Sequence, residues 1–367
     1  MKAWPLVGIA LMQSLLLAAH WFIYRTWIDF WGPLNPAAQS VLRTAIVALA
    51  FSFIAAALLG FYSASRVVAL IYRLAAVWLG FLNFFFLAAC LSWISSFALT
   101  LARLPVNRPL LAATFYTLAV VTVFYGLVNA RLIRIRHVSI KLEGLPDAWR
   151  GSTALVISDL HLGHVNGAGF CRRIVALAAA LKPDIVFLPG DLFDGSKVNA
   201  QKLAAPLHKL TPPRGMYFST GNHDEFGDTS RYAQVLERLG IHVLVNEKIT
   251  VDGVDILGVS YGDSGYPIRM RGLLETLAPS SVSILLNHVP NRLPIVEQAG
   301  ISLQLSGHTH GGQIFPFTWF TRRAFGKFIY GLQRFGRLQV YTSSGAGTWG
   351  PPMRVGTSSE IVLLIFE

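Results

Sequence analysis

The side chains that could do chemistry lie in five short polar loops of this 367-residue chain. Each loop follows an apolar, strand-like run and places histidine, aspartate or asparagine beside glycine. Carboxylate, amide and imidazole donors together suit Mn, Fe, Zn or Co ions better than Ca²⁺ or Mg²⁺. We therefore predict that the loops converge on bound metal ions. They read Asp159-Leu160-His161, Gly190-Asp191, Gly221-Asn222-His223-Asp224, Asn287-His288 and Gly307-His308-Thr309-His310.

The spacing of these residues supports a shared site. Side chains alternate in direction along a strand, so Asp-x-His and His-x-His at strand ends are expected to present two ligands on one side. Two divalent ions, the carboxylates of Asp159 and Asp191 and one bridging hydroxide leave a net charge of about +1. Such a centre would attract and hold a phosphate group. Glycines at positions 163, 190, 221, 307, 311 and 312 would allow tight turns beside it.

Any single histidine near a strand end is more often structural than functional. Here five of the ten histidines fall in the loops, in order and each after an apolar strand, which favours the joint functional interpretation. The others lie outside any motif and are expected to be structural, although His164 follows His161 closely. These are His20, His137, His164, His208 and His242.

The first part of the chain has the pattern of a membrane protein. Four uncharged stretches reach the length of about 20 apolar residues that a bilayer-spanning helix needs. Arg or Lys flanks each stretch. The first stretch is not expected to be a cleaved signal peptide, because it is long, lacks a clear cleavage site and is followed by three more spans. The predicted spans are Ala3–Tyr24, Thr44–Ser65, Leu74–Ala102 and Pro109–Ala130.

The basic residues indicate an orientation for these spans. Seven Lys and Arg residues lie on the side of the N-terminus, the second loop and the sequence after the fourth span, against four on the other side. This bias predicts a multi-pass protein of the inner (cytoplasmic) membrane with a cytoplasmic second domain. The two cysteines, Cys90 and Cys171, have no pairing pattern and agree with a reducing compartment.

From residue 138 onward the sequence pattern changes from long apolar stretches to short β-rich runs that alternate with helical patterns. We predict a four-helix all-α transmembrane region at 1–135 and an α/β (α+β) β-sandwich flanked by helices at 138–367. Helices are expected at 168–181, 198–210, 229–239, 269–277 and 291–299. Strands are expected at 138–142, 153–157, 184–188, 215–219, 241–245, 248–251, 254–259, 281–286, 301–305 and 338–342.

The loop series resembles the calcineurin-like metallophosphoesterase superfamily over residues 138–367. The ending Ser344-Gly345-Ala346-Gly347-Thr348, followed by Pro352 and Arg354, resembles its bacterial membrane-associated branch. That branch includes phosphodiesterases and UDP-2,3-diacylglucosamine pyrophosphatases. The resemblance implies a metal-dependent hydrolase of phosphoric ester or anhydride bonds with two divalent ions. Manganese is the first choice, and iron, zinc and cobalt are the alternatives.

The resemblance also implies a role for each loop residue. Asp159, His161 and His310 would bind the first ion, and Asp191 would bridge both. The second ion would be completed by Asn222, His288 and His308. His223, oriented by Asp224, would act as general acid while hydroxide held between the ions attacks phosphorus in line. Asp194 would not bind an ion itself but would contact the metal ligands and fix their orientation.

Residues 315–337 interleave aromatic with basic side chains directly after the last loop. A basic aromatic helix of this kind can lie among lipid headgroups, which favours an amphipathic or lipid-linked substrate, although a packed helix with solvated arginines has the same pattern. We expect the bilayer as a partner and no nucleic acid. The open alternatives are a tethered phosphodiesterase for soluble nucleotides and a metal-stabilised, non-catalytic scaffold.

Overall fold

A computed structural model of the protein describes residues 4–279 and 282–367. Four long helices form its N-terminal part. Each is long and apolar enough to cross a membrane, so the four predicted stretches are confirmed as long apolar helices and remain candidate membrane spans. The start of the predicted span Ala3–Tyr24 lies outside the described residues. The helices are α1 (Trp4–Trp31), α2 (Pro36–Tyr62), α3 (Arg66–Leu101) and α4 (Arg108–Arg131).

The helices run further than the uncharged stretches because capping residues, rather than charges, decide where they begin. Asn35 caps α2 by accepting a hydrogen bond from the backbone N–H of Ala38, and Pro36 follows at the first helical position. Ser65 caps α3 in the same way. Arg43 and Arg66, predicted to flank spans, therefore lie inside helices.

His20 has a structural role inside the helix bundle, as expected. Its Nδ1 lies 2.7 Å from the carbonyl oxygen of Leu16, and its Nε2 accepts a hydrogen bond of 2.9 Å from Trp78 Nε1. A buried imidazole with both ring nitrogens engaged has no capacity left for a ligand.

From Arg134 onward the chain alternates strands with shorter helices. The helices are α5 (Ala168–Ala180), α6 (Ala200–Ala204), α7 (Asn222–Phe226), α8 (Thr229–Arg238), α9 (Tyr261–Ser264), α10 (Pro267–Thr276), α11 (Leu293–Gln298) and α12 (Phe317–Phe325). The strands are β1 (Arg134–Ile140), β2 (Thr153–Val156), β3 (Ile185–Pro189), β4 (Met216–Ser219), β5 (Ile241–Val243), β6 (Glu247–Val251), β7 (Val254–Gly258), β8 (Ser283–Leu286), β9 (Leu303–Ser306), β10 (Gly331–Phe335), β11 (Leu338–Thr342) and β12 (Glu360–Phe366).

The strands form two mixed six-stranded sheets. The first has the order β1-β12-β2-β3-β4-β5 and the second the order β10-β11-β9-β8-β7-β6. Side chains of both sheets, such as Phe187 and Leu286, share one buried core. The outer face of the first sheet packs on α5, α6 and α8, and that of the second on α10 and α11. This confirms the predicted sandwich flanked by helices.

Sheet topology explains why the polar loops meet. Strands β2, β3 and β4 are parallel neighbours, and β8 and β9 are parallel neighbours in the other sheet. The carboxyl ends of parallel neighbours lie at the same sheet edge, where such folds bind ligands. All five loops follow these five strands.

The structure differs from the predicted elements in several places. Strands β10 and β12 and the short helices α7 and α9 were not expected, and the helix predicted at 198–210 is α6 followed by a 3-10 helix. The segment 315–337 is not one helix. Its helix α12 ends at Phe325, because Gly326 has a positive φ of 56°, and a 3-10 turn and β10 follow. The predicted strand at 281–286 begins one residue before the described range resumes.

The chain divides into two compact units. One runs to Val128 and includes Gly350–Met353, and the other comprises Asn129–Trp349 and Arg354–Glu367. All the predicted metal-binding residues belong to the second unit.

Candidate metal centre

The loops after β2 and β9 bring together a first group of buried candidate ligands, Asp159, His161 and His310. The Nε2 atoms of His161 and His310 lie 3.0 Å apart, and Nε2 of His310 lies 3.5 Å from Oδ1 of Asp159. The Asp159 carboxylate is itself fixed, since it accepts hydrogen bonds from the hydroxyl of Ser158 at 2.5 Å and the backbone N–H of His308 at 2.9 Å.

A second group forms from the loops after β3, β4, β8 and β9. Asp191, His288 and His308 converge there. Oδ2 of Asp191 lies 3.1 Å from Nε2 of His288, and Nδ1 of His308 lies 2.9 Å from the amide oxygen of Asn222. The other nitrogen of His288, Nδ1, donates to the carbonyl oxygen of Pro189 at 2.8 Å. A backbone carbonyl on the second nitrogen is the usual way to orient a metal-binding histidine.

Asp191 joins the two groups. Its Oδ2 lies 3.7 Å from Nε2 of His161 in the first group, and it is the same oxygen that faces His288 in the second. Its Oδ1 accepts a hydrogen bond of 2.8 Å from the backbone N–H of His223. A carboxylate placed between two ligand sets in this way has the position of a bridging ligand.

Burial and neighbouring charge set the protonation of the cluster. Burial lowers the pKa of His161 to about 3 and that of His308 to about 4, and it lowers the pKa of His310 well below the usual value. These rings are neutral at pH 7, which is the form that binds metal. Burial also raises the pKa of Asp159 to about 6.

Two close contacts between side-chain atoms are suited to a bound cation. Burial opposes protonation of His288, but Asp191 and Asp159 outweigh it and raise its pKa to about 10. A proton or a metal ion must therefore lie between His288 Nε2 and the Asp191 carboxylate. At the other group, two neutral imidazoles face each other at 3.0 Å, and Nδ1 of buried His161 has no hydrogen-bond partner among the described residues. Metal ions fit both places.

His223 lies over the groups on α7, with a ligand atom close to those of His161 and Asp191. Its Nδ1 donates to the carbonyl oxygen of Asp194 at 3.0 Å, because a carbonyl can only accept. Nε2 is therefore the ring nitrogen that this contact leaves without a partner on the Asp194 side. The ring is thus oriented by the backbone of Asp194, whereas we expected Asp224 to orient it.

The buried carboxylate of Asp224 has a different task. It accepts hydrogen bonds of 2.9 Å from the backbone N–H groups of Phe193 and Gly221, which ties the loop after β3 to the start of α7. Burial raises the pKa of Asp224 to about 7. The Asp194 carboxylate likewise contacts backbone, accepting from the N–H of His164 at 3.1 Å. Neither carboxylate belongs to a ligand group among the described residues.

Five of the seven predicted ligands have backbone in the left-handed region. A positive φ is uncommon for residues other than glycine, and where such strain persists it tends to cluster at functional sites. Asn222 and His288 are the two without it. The five are Asp159 (54°), His161 (45°), Asp191 (52°), His308 (68°) and His310 (48°).

No role was predicted for the side chain of Arg354, which proves central to the site. It is fully buried, and its Nη2 donates to the carbonyl oxygens of Ser344 at 2.6 Å and Gly347 at 2.7 Å. Nη1 donates to the carbonyl oxygen of His310 at 3.1 Å. Burial lowers the pKa of Arg354 to about 10, so it remains charged at pH 7. A single Arg in a glycine-rich tail carries no sequence signal of this contact.

The fold and this site define a class of protein. The sequence profile of the calcineurin-like phosphoesterases matches residues 152–312, the stretch that holds all seven predicted ligands. The chain belongs to the calcineurin-like metallophosphoesterase family.

Its relatives include membrane proteins. The chain is 33% identical over 261 residues to the Danio rerio transmembrane protein with metallophosphoesterase domain, covering 66% of this chain and 60% of that protein. It is 31% identical over 258 residues to the uncharacterized metallophosphoesterase Cj0846 of Campylobacter jejuni, covering 68% of each. Among solved structures, the 5'-nucleotidase precursor of Thermus thermophilus aligns over 58% of this chain and 54% of that one, with 14% identity and a TM-score of 0.35.

Proposed function

We propose that this protein is a membrane-anchored phosphohydrolase that uses two divalent metal ions. The observation that carries the proposal is the position of Asp191 between two buried His/Asp groups. Asp159, His161 and His310 would bind one ion, Asn222, His288 and His308 the other, and Asp191 both. Such a pair of ions supplies electrophilic clamping of a phosphoryl group and activation of a water nucleophile. Manganese is our first choice, with iron, zinc and cobalt as alternatives.

The protein's own contribution to the reaction centres on His223. Its Nδ1–H is held by the carbonyl of Asp194. When the ring is protonated at both nitrogens, its Nε2–H would donate the proton to the leaving oxygen as general acid, and the neutral ring with Nδ1–H would remain. The backbone N–H of His223 also donates to Asp191. The same residue thus contacts the proposed bridging carboxylate through its backbone and carries the proposed proton donor, which fixes these two groups relative to each other.

We favour an amphipathic phosphoester or pyrophosphate as the substrate, and a lipid-linked one such as a UDP-diacylglucosamine is among the candidates. Two features support this proposal. The chain has four candidate membrane spans, and helix α12 exposes Phe317, Trp319 and Phe320 to more than half of their full accessible area. Exposed basic residues, Arg322 and Arg323, accompany them. Aromatic and basic side chains together suit an anionic lipid surface.

A direct test uses the full-length protein purified with its metal content measured. We expect metal-dependent hydrolysis of bis(4-nitrophenyl) phosphate, lost on chelation and restored by one of the four candidate ions. His223→Asn should retain bound metal but lower kcat for a phenyl ester, whose basic leaving oxygen needs a proton, by about 100-fold, the contribution typical of a general acid. Active protein without bound metal would overturn the proposal. An inactive protein that binds two ions would favour the scaffold alternative.

The substrate class has its own test. Hydrolysis of lipid phosphates should exceed that of soluble nucleotide diesters under equal conditions. The reverse order, with activity unchanged after deletion of residues 1–130, would favour a tethered enzyme for soluble nucleotides.

A further inference from the structure

Two exposed aromatic side chains flank the proposed proton donor. The ring centroid of Phe226 lies 5.6 Å from that of His223, and the centroid of Trp349 lies 5.7 Å from it. Phe226 is 65% exposed and Trp349 is 48% exposed. Apolar surface of this size beside a charged centre is available to a ligand, since neither side chain is used up in packing.

The position of Trp349 is fixed by its backbone. Its N–H donates to Oε1 of Gln313 at 3.0 Å, and its carbonyl oxygen accepts from Nε2 of Gln313 at 2.9 Å. Just before Trp349 in the chain, the backbone N–H groups of Ala346 and Gly347 donate hydrogen bonds of 2.9 Å to the loop after β2. The acceptors are the carbonyl oxygens of Ser158 and Asp159. Both the N–H and the carbonyl oxygen of Trp349 are therefore hydrogen-bonded, so its exposed ring projects from a main chain that is held in place.

Phe226 reaches the same place from another element. It lies three residues after His223 on α7, and residues at this spacing share one helix face. The proton donor and the two aromatic rings therefore form one surface, which we name the aromatic flank (His223, Phe226 and Trp349).

We infer that the aromatic flank is a leaving-group subsite that selects phosphoesters whose alcohol carries apolar surface next to the ester oxygen. This inference rests on the proposed function and deepens it, since a group that protonates the leaving oxygen must face the leaving alcohol. Apolar and aromatic contacts with Phe226 and Trp349 would favour a large apolar alcohol over a small one.

The experiment uses the full-length protein in nanodiscs, loaded with the metal that supports activity. Phenyl and 2-naphthyl phosphoesters serve as probes, because their leaving groups have similar acidity and differ mainly in apolar surface. We expect kcat/KM to favour the naphthyl ester by about 5- to 10-fold, the range of one aromatic contact. In Trp349→Ala/Phe226→Ala the ratio of kcat/KM for the two esters should fall to about 1.

Three further variants separate contact from folding. Trp349→Phe should retain most of the preference. Gln313→Glu keeps the acceptor for the N–H of Trp349 but sets a carboxylate against its carbonyl, so KM for the naphthyl ester should rise while kcat holds. Tyr266→Ala, an exposed aromatic on the start of α10, is the matched control and should change neither constant. An unchanged ratio in the double variant of an active enzyme would overturn the subsite alone. A wild-type protein that hydrolyses neither ester would overturn the proposed function.

Discussion

The carbonyl oxygen of Pro189 accepts a 2.8 Å hydrogen bond from Nδ1 of His288. Pro189 ends β3 in the first sheet, and His288 follows β8 in the second. The bond therefore joins the two sheets at the candidate metal centre and aims Nε2 of His288 at Asp191. Correct packing of the sandwich and correct aim of the ligand depend on the same contact.

Removal of the proposed bridging carboxylate should empty the centre. We expect Asp191→Asn to lower metal content below one ion per chain and to lower the rate of hydrolysis by more than about 100-fold. Loss of a residue that only contacts a metal ligand lowers activity by at most about 100-fold, so a larger loss indicates a direct ligand. Mass spectrometry of bound metal and initial rates measure the two effects. Asp147→Asn, at a 99% exposed side chain, is the matched control. Two ions retained by Asp191→Asn would exclude a bridging role.

Metal binding should strengthen as pH rises. The pKa of His288 is raised to about 10 without metal, so below that pH an arriving ion must displace a proton. Between about pH 6.5 and 8.5 the dissociation constant should fall about tenfold per pH unit, as measured by competition with a chromophoric chelator. His208→Gln, on an exposed residue, should leave the slope unchanged. A flat profile would show that no proton is displaced.

Gly345 is required next to Asp159. It has a φ of 81°, and a Cβ there would lie 2.7 Å from Cβ of Asp159. Gly345→Ala should displace Asp159 and reduce metal occupancy as well as the melting temperature. Gly240→Ala is a close control, because Gly240 has a φ of 78° but nothing within 4 Å. That variant should lose about 1 kcal/mol of stability and keep its metal. Equal metal content in the two variants would contradict the prediction.

The guanidinium group of Arg354 should not be replaceable by another cationic side chain. Four carbonyl oxygens accept from its two terminal nitrogens, and a lysine ammonium cannot span them. We expect Arg354→Lys to lower the free energy of unfolding by about 3 kcal/mol and to weaken metal binding through His310. Chemical denaturation and metal titration measure these effects, with exposed Arg238→Lys as control. Wild-type behaviour of Arg354→Lys would show that charge alone suffices.

The distribution of basic residues predicts the side of the membrane that faces the second domain. Green fluorescent protein fused after Glu367 should fluoresce, and alkaline phosphatase fused there should be inactive. The same phosphatase inserted at residues 104–106, between α3 and α4, should be active. The opposite pattern would reverse the proposed orientation.

Local sequence was enough to place the polar loops, because apolar strands of four or five residues ending in glycine and polar residues can be recognised without tertiary information. Strand β12 was not predicted, since Ile361–Phe366 is a continuous apolar run without the alternation that separates strand from helix. It also begins with Glu360, a buried carboxylate that contacts Tyr330 and Tyr341. Such contacts between distant residues leave no local pattern.

The way the ligands converge was predicted for the wrong reason. Strand alternation was expected to place Asp159 and His161 on one side, but both lie beyond the end of β2 and have positive φ. Left-handed turns, rather than the pleat of a strand, direct the two side chains. Residues other than glycine seldom adopt these angles, so sequence propensity could not predict them.

Those left-handed ligands have an evolutionary consequence. Each costs roughly 1 kcal/mol relative to glycine, so five of them sum to about 5 kcal/mol, comparable with the net stability of a whole domain. Glycine at any of the five positions would relieve this backbone strain while removing a proposed ligand. Backbone strain alone therefore disfavours the five side chains, and the proposed metal binding gives selection a reason to keep them.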